Sequence, residues 1–422
     1  MAFILVDSGH QTYARMYFDF FGTLHSDFCI NWKRPIRAAN DASCMKNDFY
    51  LLVSILMCLG ACGADKDQTA TEPAILDEPG SVRTGMANLP IYRKMSGAVG
   101  GNPVVVDLQL DDSVFSGRYY YERIGAVIGL QGRLNSDGRM ELTEYSQGRE
   151  TGRFDGQWST GTLSGQWRSP LGKSVDFSWI DDLRTGAEIT FLYREKERCP
   201  SPEQLKAARP DDFLQPQCSR LEVSVPQIKV ESAEVTKAVN RALLQHICIM
   251  EGGKAVTTID EYVSAELPDE DQEFAFEKGF VTTILTNESG LLSIGVVYWI
   301  MNQGAAHPMP SVNHLNFDLA TGKMLGLDDI LRPGYRAALD TLGERQFVKV
   351  YGREGFEITP GQFQLSDDFS IQRDGLVFYF DVYEIGPYSA GVQEVFLPFA
   401  ALGEWLKPGK MPSSWLSSVR LR

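Results

Sequence analysis

Two stretches of the chain gather residue types that can move protons or hold a ligand. One is Gly304-Ala-Ala-His307-Pro308, followed by Asn313, His314 and Asn316. The other is Tyr383-Glu384-Ile-Gly386-Pro387-Tyr388-Ser-Ala-Gly391. A histidine, a carboxylate and two phenols are the groups of acid–base work. The spacing favours a quieter use: Tyr383 and Tyr388 alternate with apolar residues at strand ends, while Gly386-Pro387 and Gly391 are turn formers. His307 before Pro308 suits an ordered turn whose backbone its ring can bond. His307, Asn313, Tyr383, Glu384 and Tyr388 are therefore candidate ligand-binding residues.

A different chemistry is written at Leu59-Gly60-Ala61-Cys62. The apolar run Phe49–Leu59 follows Met45-Lys46 and leads into small residues and a cysteine, the pattern of a lipoprotein signal. The run is too short to span a bilayer. It predicts cleavage before Cys62 and a lipid on that cysteine, tying the mature chain to a membrane outside the cytoplasm. Gly63 is not an aspartate, which points to the outer membrane, facing the periplasm, in a Gram-negative host. Residues 1–44 precede this signal without clear periodicity, and the expectation is that translation starts at Met45.

Of 40 basic and 55 acidic residues, the first 61 positions hold five of each, so the remaining chain still carries −15. An acidic body argues against nucleic acid and against bare anionic wall polymer or lipid; it permits attraction to basic proteins. Beyond Cys62 the cysteines are Cys199, Cys218 and Cys248. In an oxidising envelope Cys199 and Cys218 are the natural pair, closing a polar loop and contributing about 3 kcal/mol; pairing with Cys248 is the alternative. GxSxG, HExxH, CxxC and phosphate-loop patterns are absent, and only His246, His307 and His314 follow the signal. The expectation is a binding protein with no catalytic residues, metal or cofactor.

The elements that must position these residues fall into segments. Residues 45–61 read as the signal and 62–90 as a polar tether with a reach of about 30 Å. Residues 91–195 read as an all-β domain. Its repeated signature is Phe115-Ser-Gly117-Arg-Tyr119, Phe154-Asp-Gly156-Gln-Trp158 and Leu163-Ser-Gly165-Gln-Trp167, an alternating strand with a bulge expected at each glycine. With the hairpin turn Asn135-Ser-Asp-Gly138 it predicts an antiparallel meander, a small barrel or sandwich filled by side chains. Residues 196–221 form the cysteine-containing connection, 222–310 a small α+β domain and 311–422 a second one. Ser232–Ile247 has helical periodicity, Glu261–Glu277 reads as an acidic loop, and Phe280–Asn287 with Leu291–Met301 as a hairpin. Tyr335–Val348 reads as a helix, and Phe363–Leu365, Phe369–Arg373 and Leu376–Tyr383 as strands. The fold class is α+β, with helices on one face of an antiparallel sheet.

Several of these segments resemble a bacterial envelope family. They are Leu291–Ile294, Gly304-Ala-Ala-His307-Pro308, Asn316-Phe-Asp-Leu-Ala-Thr-Gly322-Lys-Met-Leu-Gly-Leu327 and Gly375-Leu-Val-Phe-Tyr-Phe-Asp-Val-Tyr383-Glu384 through Gly391 to Pro398. The likeness is to the C-terminal domain of the anti-sigma-V type lysozyme receptor. Val225-Pro-Gln-Ile228 and its helix resemble the smaller domain that precedes it and that also accompanies a peptidoglycan deacetylase. The resemblance covers about 222–407 and implies an extracytoplasmic binding or sensing module, with lysozyme, another basic protein or peptidoglycan fragments as partner. The turn here reads Gly-Ala-Ala-His-Pro where the family has Gly-Gly-Ala-His-Gly, and the deacetylase's Asp-Asp and paired-His motifs are missing. A wall-glycan hydrolase with His307, Glu384 and Tyr388 in one cleft is the alternative function.

Overall fold

Alternating apolar and polar residues from Ile91 onward fold as eight strands: β1 Ile91–Val99, β2 Asn102–Asp111, β3 Val114–Tyr121, β4 Ile128–Leu134, β5 Arg139–Ser146, β6 Arg149–Ser159, β7 Thr162–Arg168 and β8 Ser174–Asp181. In this computed structural model each strand pairs antiparallel with the next, and β8 returns to β1, so the sheet closes into a barrel. The described residues are 5–7, 12–14, 82–83 and 90–415, apart from 147, 160, 185, 210–213, 251–252, 269–273 and 413–414. The lipidation site Cys62, its signal and the acidic run Asp269–Asp271 lie outside them. Upstream, Leu5–Asp7 and Thr12–Ala14 pair as a hairpin in a separate unit.

Side chains fill the barrel: Val106, Leu108, Phe115, Leu130, Phe154 and Trp179 are all buried in one cluster. Among them the buried Glu144 carboxylate accepts hydrogen bonds from Tyr119 (2.6 Å), Thr151 (2.6 Å) and Trp167 (2.8 Å). The Asn135–Gly138 turn forms as expected, with Asn135 N donating to Arg139 O at 2.8 Å. The glycine signature has a different cause from the bulges expected of it. Register runs unbroken through Gly117, Gly156 and Gly165. The partner strand's backbone comes close there instead: a β-carbon would stand 2.3 Å from Asp107 O at Gly117 and 2.0 Å from Asp155 O at Gly165. The register shift falls at Glu144/Tyr145.

The next strand, β9 Glu188–Arg198, leaves the barrel, because β8 already pairs with β1. The all-β segment read as 91–195 thus ends its barrel at Asp181. β9 joins β10 Ser219–Lys229, β11 Phe276–Glu288, β12 Leu291–Asn302, β13 Met309–Asp318 and β14 Lys323–Met324, with Val82–Arg83 as a short seventh strand beside β9. A division at 310/311 would cut this sheet, since β12 and β13 pair from Leu291/Asp318 to Ile300/Met309. Between β9 and β10 lie α1 Pro202–Ala207 and the Cys199–Cys218 disulfide; Cys248 is a buried thiol.

All pairs are antiparallel except β10 with β11. A parallel pair needs a crossover, supplied by α2 Ala233–Ile247 and α3 Ile259–Glu266. Ser232 caps α2, and Val239, Leu243 and Ile247 on its apolar stripe meet Leu221 and Val223 of the sheet. The loop expected over Glu261–Glu277 is helical as far as Glu266: Thr258 accepts from Glu261 N, and Ile259, Tyr262 and Val263 are buried. After α4 Leu327–Ile330 and α5 Arg336–Tyr351, a three-stranded sheet of β15 Phe369–Gln372, β16 Gly375–Phe380 and β17 Gln393–Pro398 packs under α5 and α6 Phe399–Leu402. Phe363–Leu365 is not a strand. Its Leu365 N donates to Asp340 (3.0 Å), and the leucine side chain lies against Gly343.

β10 stops pairing with β11 at Val223/Phe280, which leaves the rest of β11 with an open edge. The barrel seals it with side chains. Gln109 donates to Thr282 O (2.6 Å) and accepts from Ile284 N (3.2 Å), and Arg118 donates to Ile284 O (2.9 Å). Beside them Lys94 pairs with Asp107 at 3.1 Å, and Tyr92 donates to the same carboxylate. Asn287 donates to Tyr92 OH (3.3 Å) and Ala187 O (2.8 Å) and accepts from Ala187 N (2.7 Å). Gln109→Leu keeps the volume and strands Thr282 O and Ile284 N without partners. It should destabilise by about 2–4 kcal/mol in urea unfolding; a loss under about 0.5 kcal/mol would mean the edge is not held this way.

Candidate functional site

His307 lies in the turn between β12 and β13, and Tyr383 and Tyr388 lie in the connection from β16 to β17. The fold brings the three together. The His307 ring stacks on Tyr388 with centroids 3.9 Å apart and planes 27° apart, and Tyr383 stands 5.8 Å from Tyr388. His307 Nδ1 is 3.0 Å from Pro308 O, which assigns the proton to that nitrogen and turns Nε2 toward Tyr383 OH at 3.5 Å. Tyr388 OH donates to Pro308 O (3.0 Å). Burial, then the neighbouring Tyr383, pushes the Tyr388 phenol above its ordinary pKa, so it stays a neutral donor.

Tyr383 has φ 68°, in the left-handed region that bulky side chains avoid, and is 56% exposed. Such strain costs on the order of 1–3 kcal/mol and collects at functional positions. Here it turns an aromatic ring out to solvent beside His307 and Tyr388.

The other two candidates are placed differently. Glu384 belongs to the Asp381–Glu384 turn, where its carboxylate accepts from Asp381 N (2.8 Å). Asn313 sits on the opposite face of β13 from its neighbour His314, the face shared with Tyr298 of β12, whose hydroxyl donates to Ile247 O at the end of α2 (3.0 Å). It is therefore turned away from the aromatic group. Of the five candidates, His307, Tyr383 and Tyr388 thus form one aromatic group, while the Glu384 carboxylate is held by its own turn and Asn313 faces the other side of β13.

Beside the aromatic group lies a charged cluster that the sequence reading passed over. Asp368 accepts from His314 N and Nδ1, both at 2.7 Å, and the His314 ring stacks on Tyr379 at 3.6 Å. Asp381 accepts from Val312 N (2.7 Å). Burial, reinforced by the charges of Glu384 and Asp368 and opposed by the Val312 hydrogen bond and His314, raises Asp381 to about 6. A charged residue within Phe378-Tyr-Phe-Asp381-Val was the available signal. Asp368, 54 residues from His314, had none. Among the described residues one set of three metal-type donors converges, Glu197 with Cys199 and Cys218, and both sulfurs are joined in the disulfide.

Residues 328–400, which include Tyr383, Glu384 and Tyr388, match a family described as Protein of unknown function (DUF3298). A crystal structure of a DUF3298 family member from Bacteroides fragilis NCTC 9343 aligns at 19% identity and TM-score 0.44, over 56% of this chain and 100% of that one. A DUF3298 family protein from Pseudomonas aeruginosa PAO1 aligns at 16% identity and TM-score 0.43, over 55% and 99%. No curated protein matches the chain.

The raised Asp381 gives a signed prediction. Its folded pKa of about 6 lies above the ordinary 3.8, so the folded state holds the proton more tightly. That contribution is complete below the unfolded pKa and is lost as pH rises through 6. Asp381→Asn keeps the acceptor for Val312 N. The wild-type melting temperature relative to this variant should fall from pH 4 to pH 6 and level off above 7; a difference that stays flat across the range would contradict the assignment.

Proposed function

We propose that this chain is a lipid-anchored protein of the cell envelope that binds a basic partner without catalysis, with lysozyme as the foremost candidate. The observation that carries the reading is the His307–Tyr388 stack with exposed Tyr383 beside it. Tyrosine-rich patches are the usual energetic centres of protein interfaces, and their ring faces attract lysine and arginine. The chain's net charge of −15 favours encounter with a cationic protein.

The resemblance of residues 222–407 to the lysozyme receptor's extracytoplasmic domain supports the same partner, and the Leu59–Cys62 pattern supports a lipid anchor at Cys62 in the outer membrane, facing the periplasm. Against the wall-glycan hydrolase alternative stands the carboxylate of Glu384, engaged with its own turn. The same rings could also stack on a sugar, so peptidoglycan belongs in the test.

The experiment is a pull-down and titration of the chain from Ile91 onward with c-type lysozyme and with purified peptidoglycan, at low and physiological salt. The reading expects saturable lysozyme binding that survives physiological salt and weakens at least about tenfold in Tyr383→Ala and Tyr388→Ala. Binding that disappears with salt, or that both variants retain, would reduce it to unspecific charge attraction. Binding to peptidoglycan alone would move the function to wall glycan.

A further inference from the structure

The disulfide-closed connection between β9 and β10 touches the β12–β13 turn, and that turn carries His307. Gln303 donates to Gln215 O (2.5 Å). A β-carbon at Gly304 would stand 3.1 Å from Leu214 Cδ2, so the leucine side chain rests on that glycine, which takes φ 82°. Gly304, Ala305 and Ala306 are exposed, and His307 beyond them stacks on Tyr388. The turn is thus held by Leu214 and Gln215 at one end and by Tyr388 at the other.

The main fastening of the segment that carries Leu214 and Gln215 is its disulfide. Among the described residues of 200–217 none is buried. α1 adds no buried side chain, and its capping box is internal to the connection, with Ser201 and Gln204 bonding each other. Between connection and turn lies an open cavity of about 340 Å³, lined by Cys199, Leu214, Gln215 and Gln303 among others. A segment with so little buried contact opens locally at low cost. What restrains it is the Cys199–Cys218 bridge, which closes a separation of 19 residues. Cys199 is exposed, so a reductant has access to the bridge.

We propose that the Cys199–Cys218 disulfide is a redox switch for the aromatic surface. Bridged, the connection props the β12–β13 turn and presents the His307 ring to Tyr388. Reduced, it lets the turn go and the stack opens. The reductant is a dithiol: one of its thiolates attacks Cys199 Sγ, the S–S bond breaks, and Cys218 leaves as a thiolate that takes up a proton. The second thiol of the reductant then displaces Cys199, leaving two cysteine thiols and a cyclic disulfide. The consequence for binding rests on the recognition reading of that surface. The switch itself does not, and its test reads geometry without a ligand.

The face of a tyrosine ring shields protons stacked on it, so the His307 ring protons should resonate upfield in the bridged chain. His314, stacked on Tyr379, is a reporter of the same kind on β13 itself. The experiment is nuclear magnetic resonance of the full chain, isotope-labelled at histidine, with His307→Gln identifying the signal. A dithiol should abolish most of the His307 displacement and leave His314 unmoved, and reoxidation should restore it. Cys199→Ser/Cys218→Ser should show the reduced position without reductant. Leu214→Ala, with the bridge intact, should move His307 part of the way, because the prop is lost while the staple remains. The proposal is overturned if His307 keeps its bridged position in the reduced chain or in the double variant. It is equally overturned if His314 shifts along with His307, or if Leu214→Ala leaves His307 where the bridged wild type has it.

Discussion

The structure depends on how the open edge of β11 is closed. A strand edge buried without partners leaves backbone groups that each cost about 1–3 kcal/mol, and β10 serves this edge only as far as Phe280. From Thr282 onward the partner is the barrel. The Gln109 carboxamide offers one donor and one acceptor at the spacing of a ladder residue, and Arg118 adds a second donor. That substitution of side chain for strand explains why the outward face of β1–β3 carries buried Lys94, Asp107, Gln109 and Arg118 where a solvated barrel would carry ordinary surface residues. It also fixes the three-stranded sheet. Thr286, further along β11, donates to Ile371 O at 2.8 Å, Glu288 pairs with Arg373, and the Arg373 guanidinium lies 3.8 Å from the centre of the Tyr120 ring. Barrel, central sheet and C-terminal sheet therefore meet along one strand.

Buried charge is a poor source of net stability but a strong enforcer of geometry, because any arrangement that separates the partners leaves a charge unpaired. Lys94 and Asp107 are on adjacent barrel strands and would pair in the barrel by itself. What ties the pair to the central sheet is Tyr92, which donates to Asp107 and accepts from Asn287. Asn287 in turn brackets Ala187 at the exit from the barrel. The polar seam thus specifies which face of the barrel docks, and the apolar clusters on either side supply the cohesion.

Much of the fold was legible because its signals are local. Alternation gave the barrel strands, Asn135–Gly138 a hairpin, Ser232 and its apolar stripe a helix, and Glu288–Gly290 a turn that Ser289 and Gly290 take at φ 54° and 79°. What was missed is non-local. Closure of β8 on β1 sends β9 to another sheet, and no residue between Asp181 and Glu188 announces it. The close approaches of the partner strand at Gly117 and Gly165 look in sequence like bulges, because both uses favour the loss of a side chain. Acidic residues masked α3, although Thr258 and Glu261 are spaced as a helix cap should be. The site follows the same rule. His307, Tyr383 and Tyr388 are chemically able residues near turns, and the turns converge. Asn313 has the right chemistry on the wrong face of its strand, a matter of parity that only the register with β12 decides.

The cysteines show how burial divides redox roles within one chain. Cys199 and Cys218 flank a 19-residue separation and stay near the surface, where an oxidising compartment can form and keep their bridge. Cys248 ends α2 beneath the central sheet. Burial, then the charge of Glu266, pushes its thiol up to about 12. Exchange proceeds through thiolate attack, and a buried, protonated thiol has almost none to offer at neutral pH. Once the chain is folded, the helix that buries Cys248 in the core therefore also withholds the thiolate that an exchange with the surface bridge would need.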